Sequence, residues 1–280
     1  FHPDFDQPIE EYPFAKSVVF DQQFVIAGFS DGTIVACDED GKEAWSWRID
    51  QQNPAFESFG RIDLHPTQNL LAISWTQNYS ATGVAVKVSI LDIDVMAEVI
   101  GWDYATEYWT MEFSNDGVWL ASTGQDGSVH LWLTEDPNPA QWTDHGVQYS
   151  HSNYTGVLTW HNDIHAFMTA GWDGQAIVWD ADSSQQMLSF QFTDEGFGAG
   201  LASGSFLIVA SGDASNSVSG QLEFYDGLNM TQLATWAVEG IPRGFAMDHS
   251  GGLIIANHTG SWWLIIPDSD GDGVIDEDDA

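Results

Sequence analysis

Residues 166–180, Ala166-Phe-Met-Thr-Ala-Gly-Trp-Asp-Gly-Gln-Ala-Ile-Val-Trp-Asp180, decide the fold. Two apolar runs flank an Asp-Gly pair, which reads as a tight hairpin turn, since both central residues of a type I′ turn need φ > 0. The runs are nearly continuously apolar rather than alternating, which predicts strands buried on both faces, as when sheets stack on neighbouring sheets. The pattern recurs. Ser30-Asp-Gly-Thr-Ile-Val-Ala-Cys-Asp38 and Gln125-Asp-Gly-Ser-Val-His-Leu-Trp-Leu133 align with Trp172–Asp180 without gaps. They are preceded by the apolar runs Phe24-Val-Ile-Ala27 and Trp119-Leu-Ala-Ser122.

Weaker copies fill the rest: Leu70-Leu-Ala-Ile-Ser74 before Val86–Asp92, Ser205–Ala210 before Gln221–Asp226, and Leu253–Ala256 before Trp262–Ile266. A spacing of about 40–50 residues is the range of propellers and arrays. Six units can be counted, with almost no helical periodicity. The expected fold is all-β: a β-propeller of six four-stranded blades over residues 1–267, or seven if two units have been merged. The last unit has three strands. Gln7–Phe14, with Pro8 and Pro13 suited to an edge, is expected to supply the missing outer strand and close the ring.

The chain resembles the WD40 family over about residues 1–267. The signature dipeptide is Trp179-Asp180, degenerate elsewhere as Trp132-Leu133, Cys37-Asp38 and Tyr225-Asp226. The resemblance implies that Asp31, Asp126 and Asp173 occupy the family's hydrogen-bonding turn position. It also implies that His151, Thr169 and Trp179 complete a network in the fourth unit. The Gly-His pair that opens most repeats of the family is missing.

The chain ends in Asp268-Ser-Asp-Gly-Asp-Gly-Val-Ile-Asp-Glu-Asp-Asp-Ala280. Calcium takes about six to eight oxygen ligands, which a twelve-residue loop supplies from positions 1, 3, 5, 7, 9 and 12 around a Gly at 6. Counted from Asp268, these are Asp268, Asp270, Asp272, the Val274 carbonyl, Asp276 and Asp279, with Gly273 at the turn. Position 12 is Asp rather than the usual Glu. A solvated acidic tail is the alternative reading. Residues 268–280 resemble the start of a thrombospondin type 3 repeat, which implies an extracellular protein with a calcium-binding array.

With 42 acidic residues against 6 basic, the chain carries a formal charge of −36. Such a surface repels nucleic acid, whose binding rests on phosphate neutralisation, and anionic lipid. No apolar run reaches the roughly 18 residues of a membrane helix. Cys37 is the only cysteine, so no intrachain disulfide forms. Four Asn-x-Ser/Thr sequons begin at Asn78, Asn153, Asn229 and Asn257, each an acceptor in a secreted protein.

Two lengthened loops, Thr76–Gly83 and Gly212–Gly220, and the aromatics Trp102, Tyr104, Tyr108 and Trp109 suggest a binding face. The alternative is that the aromatics pack between blades. Glycans at Asn78, Asn153 and Asn257 would crowd that face. His161 and His165 have a spacing that binds metal only on a helix, whereas they lie in a hairpin connection. No Gly-x-Ser-x-Gly elbow occurs. The expected function is a non-enzymatic extracellular or cell-surface module. Its expected partner is a protein or glycan, or a neighbouring subunit of a surface assembly, with no nucleic acid and no membrane insertion. The alternative is a propeller enzyme, a hydrolase or a quinone-dependent dehydrogenase, with Arg61, Asp63, Glu112 and Arg243 lining a central channel.

Overall fold

The computed structural model describes residues 13–20, 23–49, 56–77, 86–104, 108–149, 151–161, 164–191, 197–203, 206–212, 219–226, 231–240, 242–247, 253–257 and 262–265. Among them lie six antiparallel sheets, each a meander in chain order. Sheet 1 joins β1 (Ala15–Phe20), β2 (Val25–Phe29), β3 (Thr33–Cys37) and β4 (Glu43–Arg48). Sheet 2 joins β5 (Phe56–Leu64), β6 (Leu70–Gln77), β7 (Val86–Asp92) and β8 (Ala97–Tyr104). Sheet 3 joins β9 (Tyr108–Phe113), β10 (Trp119–Gly124), β11 (Ser128–Leu133) and β12 (Thr143–Tyr149). Sheet 4 joins β13 (Thr155–Trp160), β14 (Ala166–Gly171), β15 (Gln175–Asp180) and β16 (Gln185–Gln191). Sheet 5 joins β17 (Phe197–Ser203), β18 (Phe206–Gly212), β19 (Ser219–Asp226) and β20 (Gln232–Glu239). Sheet 6 has only β21 (Pro242–Met247), β22 (Leu253–Asn257) and β23 (Trp262–Ile265).

The chain divides into two compact units, residues 1–125 with 130–146, and residues 126–129 with 147–280. In the first, β5 packs against both β1 and β9; in the second, β17 packs against both β13 and β21. The first strand of each sheet is therefore the stacked one. Apolar side chains fill the space between successive sheets. Ile26, Ile34 and Trp47 of sheet 1 meet Phe59, Ile73 and Trp75 of sheet 2. Met168 and Val178 of sheet 4 meet Val209 and Tyr225 of sheet 5. All six residues of β10 and of β14 are buried, as their nearly continuous apolar pattern predicts.

Pairing of the first two strands carries an irregularity at a corresponding place in all six sheets, for example between Ala15 and Ser17, Thr155 and Val157, Phe197 and Ala199, and Pro242 and Gly244. Such a bulge bends the strand and raises its twist. Polar ties also join stacked first strands. Ser17 Oγ, buried, donates to Ile62 O at 3.3 Å and accepts from Ile62 N at 3.2 Å.

The type I′ reading of the Asp-Gly turns needs correction. Only Met96 and Ser184 have positive φ among the described non-glycine residues, so Asp31, Asp126 and Asp173 do not. Gly174 N donates to Gly171 O at 2.9 Å, closing a turn with Trp172 and Asp173 in its centre and Gly174 at φ 75°. The pattern is a type I turn followed by a left-handed glycine. The aspartate holds it by accepting from the N–H two residues on, in Thr33, Ser128 and Gln175.

Phe14 N donates to Ser30 Oγ and Phe14 O accepts from Ser30 N, so this residue continues β1 within sheet 1. The rest of the expected closing strand, Gln7–Pro13, includes residues 7–12, which lie outside the described residues. The calcium-loop positions Asp268, Asp270, Asp272, Val274, Asp276 and Asp279 also lie outside them.

Candidate functional site

The β14–β15 turn meets the connection that enters β13, and one hydrogen-bond chain runs between them. Trp179 Nε1 donates to Thr169 Oγ1 at 2.9 Å. Thr169 Oγ1 lies 3.0 Å from His151 Nε2, and His151 Nδ1 lies 3.1 and 3.2 Å from the two Asp173 carboxylate oxygens. With the indole as sole donor at one end and the carboxylate as acceptor at the other, the chain assigns the tautomer. Thr169 donates to Nε2, and Nδ1–H donates to Asp173. Asp173 also accepts from Ser152 N and Gln175 N at 2.9 and 3.1 Å. Its side chain is only 5% exposed. Burial pushes His151 below the ordinary histidine range, against the upward pull of Asp173. The network is thus neutral on the histidine side near pH 7. His151, Thr169, Trp179 and Asp173 are the residues that the WD40 resemblance implied.

The neighbouring turn locks onto this platform. His151 N donates to Gly127 O at 3.3 Å, and a Cβ on Gly127 (φ 81°) would sit 2.1 Å from His151 O. Sheet 1 repeats the device, with Ile49 N donating to Gly32 O at 3.0 Å. The full side-chain network is found in sheet 4 alone among the described residues. In sheet 3 the position of Thr169 is Ser122, whose buried hydroxyl has no hydrogen-bond partner among the described residues. In sheet 1, Ala27 and Cys37 stand where Thr169 and Trp179 would be.

On top of the platform sits an aromatic pair that the loop-length argument missed. Trp172, 41% exposed, lies with its ring centroid 5.6 Å from that of Tyr154, and Trp172 N donates to Tyr154 O at 2.7 Å. The signal was present, since Trp172 is the residue before the turn aspartate and its copies there are Ser30 and Gln125. Asn153, the sequon asparagine beside the pair, is exposed, and its Oδ1 accepts from Tyr154 N. Trp102, by contrast, is half-buried and packs 5.4 Å from Trp132 and 6.3 Å from Trp142, so it belongs to the interior between sheets 2 and 3. The side chains of Tyr104, Tyr108 and Trp109 lie outside those described, as do residues 78–85 and 213–218 of the long loops.

Other sequence candidates do not converge. His165 Nδ1 pairs with Asp182 Oδ1 at 2.8 Å at the opposite end of sheet 4. No group of three or more metal-ligating side chains occurs among the described residues. Of the first-strand set, Asp63 accepts from Phe113 N at 2.6 Å, bridging β5 to β9. Burial pushes its carboxyl up to about 7. Arg61 is exposed, and the Arg243 side chain is outside those described.

The shifts carry opposite signs in stability. Asp63 binds its proton more tightly folded than unfolded, so its contribution is present below about pH 3.8 and is lost as pH rises through about 7. His65, His130 and His151 are all depressed by burial below 6.5. Their contribution is present above pH 6.5 and is lost as pH falls below it. We expect Asp63→Asn to become steadily more stable relative to wild type from about pH 5 to 7 and the difference to level off above that. Urea unfolding at several pH values checks this; a difference that is flat with pH would refute it.

Comparison with known proteins defines the class. The profile of the family "WD domain, G-beta repeat" matches residues 105–132. The WD repeat-containing protein WDS homolog of Arabidopsis thaliana is 28% identical over 94 residues, 34% of this chain and 18% of that protein. Echinoderm microtubule-associated protein-like 2 of Rattus norvegicus is 29% identical over 168 residues, 60% of this chain and 24% of that protein. The chain thus spans a quarter or less of the curated relatives' length. A chain of the structure titled "Crystal Structure of Mitotic Checkpoint Complex" superposes with a TM-score of 0.73 at 15% identity, covering 91% of this chain and 76% of that one. The protein is an all-β, WD40-like propeller.

No helix among the described residues is long and apolar enough to cross a membrane.

Proposed function

We propose that this chain is a non-enzymatic protein-interaction module whose partner docks on the face carrying Trp172 and Tyr154. The observation behind this is the exposed Trp172 packed on the half-buried Tyr154, beside a buried hydrogen-bonded network. Rigid aromatics anchor interfaces because they bury large area at little entropic cost. The charge of −36 favours a partner segment bearing Lys or Arg, a cation suited to an indole face. Trp172→Ala is expected to change stability by no more than about 1 kcal/mol, while reducing partner capture about tenfold. Quantitative affinity capture with wild type and variant side by side checks this. Capture unchanged by both Trp172→Ala and Tyr154→Ala would remove this face from consideration.

The finer reading is an extracellular or cell-surface module of a larger secreted assembly, with Asp268, Asp270, Asp272, the Val274 carbonyl, Asp276 and Asp279 holding one structural calcium ion. Extracellular modules bind calcium with Kd of roughly 10⁻⁴–10⁻³ M, and a hundredfold excess over Kd would stabilise the folded loop by about 2.7 kcal/mol. Calorimetric titration is expected to show one site in the full chain, absent from a chain lacking residues 268–280 and weakened by Asp272→Ala. Full affinity in either altered chain would sink the loop assignment.

A further inference from the structure

The first unit carries a cleft of about 530 Å³ between sheets 1 and 2, at the end opposite the Asp-Gly turns. Its walls come from the β1–β2, β5–β6 and β7–β8 connections and from β4. Phe24 and Trp45 line it, both half-buried with their inner sides on the core between the two sheets. The polar lining includes Gln23, Gln68, Asn69 and Asp94. These groups are held in place. Asn69 Nδ2 donates to Asp94 Oδ1 at 3.0 Å, and Thr67 N and Gln68 N both donate to the buried His65 Nδ1 at 3.2 Å.

We propose that this cleft binds a neutral oligosaccharide. Its volume falls within the roughly 300–1,000 Å³ of small-ligand sites. Primary amides offer both donors and acceptors, which matches hydroxyl groups that do the same. The aromatic side chains supply apolar surface for the C–H face of a sugar ring. The lining has no Lys or Arg, and His65 accepts on Nδ1 from two N–H groups, so nothing there neutralises a carboxylate, sulfate or phosphate. A cationic ligand would find one carboxylate, already shared with Asn69. A purely apolar ligand would strip water from Gln23, Gln68, Asn69 and Asp94 without replacing its hydrogen bonds. The cleft belongs to the first unit and is lined by neither Trp172 nor Tyr154, so the inference does not depend on the protein-interaction reading.

Saturation-transfer NMR of the full chain against a panel of neutral, acidic and amino oligosaccharides tests it. At least one neutral oligosaccharide should bind saturably. Asn69→Ala should weaken it about tenfold, the effect of about 1.4 kcal/mol, Trp45→Ala should abolish it, and Trp172→Ala should leave it unchanged. Asn69 is exposed, so its variant tests the cleft even if Trp45→Ala fails to fold. Binding only of charged saccharides, binding of none, or binding indifferent to Asn69→Ala would overturn the proposal.

Discussion

Asp173→Ala is expected to lower the free energy of unfolding by about 3–5 kcal/mol, a large share of the 5–15 kcal/mol of a typical domain. The carboxylate accepts from His151 Nδ1, Ser152 N and Gln175 N at 2.9–3.2 Å. Truncation orphans the buried His151 N–H and the part-buried Gln175 N–H at roughly 1–3 kcal/mol each, while the N–H of the exposed Ser152 returns to water. Asp126→Ala is the matched control. It occupies the same repeat position, but its side chain is exposed and accepts from Ser128 N alone among the bonds described, so about 1 kcal/mol is expected. Thr169→Val should cost about 1–3 kcal/mol, since it removes the acceptor of the Trp179 N–H and the donor to His151. The double variant of Asp173 and Thr169 should be less destabilised than the sum, because both changes break one chain through His151. Urea unfolding followed by far-UV circular dichroism measures all four. If Asp173→Ala costs no more than Asp126→Ala, the fourth sheet has no special platform and the rigidity argument for Trp172 fails.

The contrast between Asp173 and Asp126 shows what the sequence could and could not reveal. The resemblance to WD40 repeats implied that His151, Thr169, Asp173 and Trp179 come together, and the repeat register aligned Asp173 with Asp31 and Asp126. The same register located the apolar strands, since burial on both faces leaves a continuous pattern rather than an alternating one. Turn geometry was harder to read. Asp-Gly is compatible with two hairpin types, and the choice depends on where the aspartate side chain finds its donor. The bulges beside Ser17 and Val157 leave no compositional trace, because an extra residue in a strand changes pairing and not polarity. Trp102 and Trp172 illustrate a further limit. Both are tryptophans near the ends of apolar strands, yet one fills the space between sheets 2 and 3 and the other is exposed beside Tyr154. That distinction rests on which sheet lies opposite, which local sequence does not encode. The cleft beside Trp45 is of the same kind, assembled from four separate segments whose amides and aromatics are unremarkable one at a time.

Trp132→Ala is the other change with a large expected cost, about 3–5 kcal/mol, and it separates core tryptophans from surface ones. Trp132 is 0% exposed. Its ring stacks on His130 at 4.1 Å with an interplanar angle of 11°, and Trp102 packs against it at 5.4 Å. His130 is fixed in turn, with Nε2 2.6 Å from Asp144 Oδ1. Removing the indole opens a cavity among Val88, Ile90, Leu120 and Trp142, which belong to the same core. Strand backbones hydrogen-bonded on both sides cannot collapse far to fill it, so the penalty should lie at the upper end of the range. Trp132→Phe should cost less, since it keeps a stacking ring and removes only part of the volume. The measurement is equilibrium unfolding of both variants beside Trp172→Ala. A Trp132→Ala protein as stable as Trp172→Ala would mean that sheets 2 and 3 are not held together by this aromatic stack. The space between these two sheets would then not be a cohesive apolar layer even where it is most densely aromatic.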